Sequence, residues 1–122
     1  MLLTFPKGPV MLDGNEICSD LSILIKPDTW QGRIKFNDPK GEPVDIVVQG
    51  CTKPKLMNIG SVETTVFGIE EVKKVPFKLK FEAKIFKEIF KLSGTIKNKE
   101  IVIQEKSITN LILKAIEHTS QI

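Results

Sequence analysis

The chain contains no tyrosine, one tryptophan, one histidine and one arginine, and each shortage removes a class of chemistry. With His118 as the only imidazole, a metal centre would have to draw on Cys18, Cys51 and carboxylates, and no CxxC or HxxxH pair is present. With Arg33 alone, bidentate reading of guanine is nearly out of reach. The glycines never fall into GxGxxG or a P-loop, so no known phosphate cradle is offered. No apolar run approaches the length of a membrane span. We therefore expect no metal, no cofactor and no membrane partner. The opening Met-Leu-Leu-Thr-Phe-Pro-Lys lacks the basic lead and apolar core of an export signal, which gives a cytoplasmic expectation. In that compartment Cys18 and Cys51 stay reduced more often than bridged.

What is present has the composition of a globular domain, 41% hydrophobic and 27% charged, and 122 residues make one unit spanning 1–122. The net charge of +3 is unevenly placed. Residues 1–72 carry −3, residues 73–106 carry +6, and the remainder sums to zero. Positive charge is thus concentrated in Val75 to Lys106, where period-two alternation is also strongest.

There Val75, Phe77, Leu79, Phe81, Ala83 and Ile85 alternate with Lys78, Lys80, Glu82 and Lys84, the pattern of a half-buried strand. Parity changes after Ile85 and again after Asn98, so two turns are expected. Turns at Lys87-Glu88 and Asn98-Lys99 would set Ile85 opposite Phe90, Ala83 opposite Leu92 and Ile96 opposite Ile101. The outer face would then carry Lys84, Lys91 and Lys106 in one row, with Lys78 beside Lys97. Lys87-Glu88 has none of the φ > 0 chemistry of a two-residue hairpin. Ile85, Phe86, Ile89 and Phe90 also fit helical spacing, so a helical turn or a bulged continuous strand competes.

Earlier segments read more simply. Residues 2–5 fit a short strand, and Asp13-Gly14 closes a hairpin between Val10-Met11-Leu12 and Glu16-Ile17. Leu21, Ile23 and Ile25, with Leu24 between them, suggest a strand covered on both faces. Trp30, Gly32, Ile34 and Phe36 alternate toward Asp38-Pro39-Lys40-Gly41-Glu42, which fits a type I turn with a G1 bulge. That turn sets Phe36 opposite Val44 and Ile34 opposite Ile46. Leu56 to Ile69 gives one or two short strands around Gly60 and Gly68, and Glu70 to Lys74 makes a polar connection. At the C-terminus Ile108, Leu111, Ile112, Ala115 and Ile116 fall on one helical face, with Ser107 or Thr109 placed to cap it.

These patterns predict a mainly β domain, an antiparallel β-sandwich or a partly open β-barrel of about seven to nine strands over about residues 2–106, followed by a C-terminal α-helix over about 108–118. For catalysis the candidates are a Cys51–His118 dyad and the carboxylates Asp13, Glu16, Asp20 and Asp28, whose spacing matches no motif. No catalytic residue is assigned. The expected function is a non-catalytic interaction or assembly module that holds a protein partner or a second copy. The alternative is sequence-independent nucleic-acid binding through Lys78, Lys80, Lys84, Lys91, Lys97 and Lys106. Against that alternative, Phe77, Phe81 and Phe90 lie on the inner face and leave no base-stacking platform.

Overall fold

The computed structural model describes residues 2–26, 28–96 and 98–120. The described residues form ten strands and one α-helix: β1 Leu2–Thr4, β2 Pro9–Leu12, β3 Asn15–Ile25, β4 Gly32–Asn37, β5 Pro43–Cys51, β6 Lys55–Asn58, β7 Ser61–Glu70, β8 Val75–Lys84, β9 Ile89–Ile96, β10 Lys99–Glu105 and α1 Ile108–Ser120. All ten belong to one antiparallel sheet in the order β1-β3-β4-β5-β7-β8-β9-β10, with β2 added on β3 and β6 on β7. The sheet curls into a half-barrel, so the partly open barrel and not the sandwich is the architecture.

Local chemistry explains most of these elements. Asp13 and Gly14 both take positive φ, 51° and 81°, as a type I′ turn requires, and join β2 to β3. In the β4–β5 turn Asp38 Oδ1 accepts from the N–H groups of Lys40 and Glu42, each at 2.9 Å. Gly41 follows at φ 81°, and the expected pairs Phe36 with Val44 and Ile34 with Ile46 form. β3 joins the Glu16-Ile17 arm of the Asp13-Gly14 hairpin and the segment 21–25 into one strand, with a register shift between Ser19 and Ser22 where Asp20 takes φ 52°. Leu24 is 56% exposed, so this strand is covered on one face only, a correction to the two-sided reading. Gly68 does not interrupt β7; a Cβ there would collide with the Val47 carbonyl of the neighbouring strand.

The helix closes the interior. Ser107 Oγ accepts from Asn110 N–H at 3.1 Å, an N-cap, and the helix packs against β3 at one side of the curl and β9 and β10 at the other. Ile112, Leu113 and Ile116 join the core over β2–β4, while Leu111 joins the core over β5 and β7–β10. Leu113 lies off the five-residue face expected from the sequence, and it is buried because the curled sheet embraces the helix from two sides. Trp30 and Ile46 pack against both cores. The Trp30 ring meets Phe81 at 4.8 Å between centroids and 60° between planes.

Candidate interaction surface

The lysine-rich outer face is built by β8, β9 and β10, and its geometry rests on the two turns that join them. The first is a four-residue loop. Ile85–Lys87 form one 3-10 turn, Glu88 closes it at φ 50° with its N–H donated to the Ile85 carbonyl at 3.2 Å, and Lys84 pairs with Ile89. A two-residue turn at Lys87-Glu88 would have needed left-handed conformations that neither residue favours; here one residue takes the strain instead of two. The pairing therefore slides by two positions from the expected register: Ala83 faces Phe90 and Phe81 faces Leu92. In the second turn Ile96 pairs with Lys99 and Asn98 takes φ 65°, so Ile101 faces Gly94 and not Ile96. Lys97 lies outside the described residues.

A slide of two preserves which side each residue faces and changes every partner. Leu79, Phe81, Ala83, Leu92, Ile101 and Ile103 are buried inside as expected. The row of Lys84, Lys91 and Lys106 does not form. Lys84 stands opposite Ser61 and Ile89, Lys91 stands between Glu82 and Gln104, and Lys106 follows β10 in the bend before α1. Lys78 is exposed opposite Phe67 and Thr95. Lys80 lies 3.3 Å from both Glu63 and Glu82, whose carboxylates raise its pKa, Glu63 foremost. Acidic side chains are therefore interleaved with the lysines of this face.

The same turn corrects a second placement. Ile85, assigned to the inner face by alternation, is 56% exposed, and Phe86 is 78% exposed. Ile85 N–H donates to the Gly60 carbonyl at 2.8 Å, and the Phe86 ring sits so close over Gly60 that a Cβ there would collide with it. Gly60, at φ 75°, closes the β6–β7 turn, whose flanks expose Leu56 by 81%, Met57 by 57% and Ile59 by 93%. Five large apolar side chains thus gather at one end of the half-barrel. Lys55, Lys84, Lys87 and Glu88 are exposed on the same segments. Isolated apolar side chains on a surface mean little, but a cluster with a polar rim marks a contact site. Sequence reasoning missed this tip, although a signal existed. Extending pairing outward from the polar turn at residues 71–74 brings Ser61 opposite Lys84 and so the two turns together.

The catalytic candidates are not assembled into a site. Cys18 and Cys51 are free thiols, Cys18 buried in β3 and Cys51 half-buried at the end of β5. Burial, aided by Glu16, pushes the Cys18 thiol up to about 11, so it stays neutral and a poor nucleophile. His118 occupies the last turn of α1, and no hydrogen bond joins it to Cys51 among the described residues. Asp13 pairs with Lys114 at 3.1 Å, and Asp20 accepts from Gly8 N–H at 2.8 Å and Asn37 Nδ2 at 3.4 Å. Both therefore have structural partners, while Glu16 and Asp28 are exposed. Among the described residues no group of three His, Cys, Asp or Glu side chains is placed to hold a metal ion, and no helix is long and apolar enough to cross a membrane. Comparison with protein-family models, with curated proteins and with solved structures gave no match.

Proposed function

We propose that the chain is a non-catalytic interaction module that docks a protein partner through the apolar tip formed by the β6–β7 and β8–β9 turns. The observation that carries this reading is the exposure of Leu56, Ile59 and Phe86, 81%, 93% and 78%, on two turns tied together by a backbone hydrogen bond. Aromatic and aliphatic side chains held out on a constrained backbone bind at low entropic cost. The rim holds Lys55, Lys84 and Lys87 against the single carboxylate of Glu88, a net positive margin that suits an apolar pocket with acidic edges. A second copy in tip-to-tip contact would bring lysine against lysine, so a different protein is the occupant.

Nucleic-acid binding through the sheet face is the weaker reading, because Glu63 and Glu82 neutralise its middle. One comparison separates the two. The wild-type chain, Ile59→Ser/Phe86→Ser and Lys78→Glu/Lys91→Glu serve as baits under identical conditions. A partner held by the wild type and the lysine variant but lost from the tip variant is the expected result. Loss from the lysine variant alone, retardation of duplex DNA at low salt, or tip-dependent sedimentation with anionic vesicles would replace the proposal.

A further inference from the structure

We infer that the cavity beneath the C-terminal half of α1 is a binding site for a short alkyl chain carrying a neutral or cationic head group. This rests on the interior and is independent of the tip. The cavity has a volume of about 110 Å³ and lies between the helix and the concave face of the sheet. Trp30, Val48, Leu79, Leu92, Leu111 and Ile116 are among its walls. Glu70 and Thr119 are the polar exceptions to an otherwise apolar lining, and both are engaged. The Glu70 carboxylate accepts from the N–H groups of Asp45, Val72 and Lys73, and Thr119 Oγ1 donates to the Ala115 carbonyl at 2.9 Å. Water entering such a space finds few partners, whereas an apolar guest restores the dispersion contacts that an unfilled void forfeits. A dry apolar cavity of about 150 Å³ accepts benzene, so a six-carbon chain is near the upper limit here.

The head group follows from the mouth. Val75, Phe77, Ile96, Ala115 and Thr119 of the lining remain partly exposed, and Glu70 and Thr119 also line a second, smaller depression with Asp38, Glu42 and Lys73. Asp38 and Glu70 bring negative charge to that depression while their oxygens accept backbone N–H groups, Lys73 brings one positive charge, and the exposed Glu42 carboxylate has no hydrogen bond or ion pair among the described residues. The last turn of α1 adds its carbonyl end, which favours cations. A carboxylate head is disfavoured on both counts, while an alcohol or amine is accommodated.

Trp30 is the only tryptophan in a chain without tyrosine, so its fluorescence reports on the cavity wall directly. The full chain is titrated with hexan-1-amine, hexan-1-ol and hexanoate, and the same series is repeated on Ala115→Leu and Ile96→Phe, each of which fills space from the rim. We expect saturable changes with the amine and the alcohol, binding of hexanoate weaker by roughly tenfold or more, and loss of saturation in both filled variants with their thermal transitions retained. A wild-type response that does not saturate, hexanoate binding as tightly as the amine, or unchanged binding in a folded filled variant would overturn the inference.

Discussion

The two ends of the half-barrel use their turns in opposite ways. At one end, the β4–β5 and β7–β8 turns are polar apart from the half-exposed Val72 and fold their carboxylates onto their own backbone. Asp38 accepts two N–H bonds, Glu70 accepts three, and Glu71 N–H donates to the Asp45 carbonyl at 2.7 Å, tying the turns together. At the other end, the β6–β7 and β8–β9 turns are joined by the bond from Ile85 to Gly60 and present Leu56, Ile59 and Phe86 to solvent. A sheet end that serves only stability is closed with polar groups that satisfy the backbone. The second end departs from that economy, and this contrast motivates the docking proposal.

The largest way to test the contrast is to remove Glu70. The residue is 9% exposed and its oxygens take N–H groups at 2.9, 3.0 and 2.8 Å, so Glu70→Ala leaves donors unpaired in a half-buried turn. We expect a loss of about 2–3 kcal/mol in denaturant unfolding. A loss below about 0.5 kcal/mol would place the polar end on the same footing as the tip. Next in size is a matched pair of turn changes. Asp38→Ala removes the acceptor for Lys40 and Glu42 and should cost about 1–1.5 kcal/mol, whereas Glu88→Gly relieves a left-handed residue and should gain up to about 1 kcal/mol. Opposite signs at the two ends are the diagnostic outcome, read as shifts of the unfolding midpoint.

The same contrast explains how far the sequence could be read. Turns whose residues dictate a geometry, Asp13-Gly14 and Asp38 to Gly41, yielded the correct closure and, for β4–β5, the correct pairs. The inner and outer faces of β8–β10 were legible as well, because period-two alternation survives any even slide. Partners across those strands were not legible: Lys87-Glu88 argues against a two-residue turn, and the helical spacing of Ile85, Phe86, Ile89 and Phe90 agrees with the 3-10 turn that forms, but neither says at which residues pairing resumes. The tip was hidden for a related reason. Alternation counts Ile85 as interior, and only the loop geometry carries it and Phe86 outside. Gly60 and Phe86 are distant in sequence, so their contact emerges only from the ten-residue pairing of β7 with β8.

The smallest effect discriminates between the two registers directly. In the observed pairing Lys91 faces Glu82, and Lys84 faces Ile89; a slide by two would instead set Lys84 against Lys91. A double-mutant cycle on Lys91→Ala and Glu82→Ala should return a favourable coupling of about 0.2–1 kcal/mol, the range for opposite charges directly across an antiparallel pair. The companion cycle on Lys84 and Lys91 should return no coupling, because the two are not cross-strand partners and exposed charges at longer range are screened. Repeating both cycles in Glu88→Gly sharpens the point. Glycine relaxes the residue that closes the four-residue loop without altering its length, so the Lys91–Glu82 coupling should persist at its wild-type value. Transfer of coupling to Lys84 and Lys91, now with unfavourable sign, would mean that the strain at Glu88 and not the loop length holds the register.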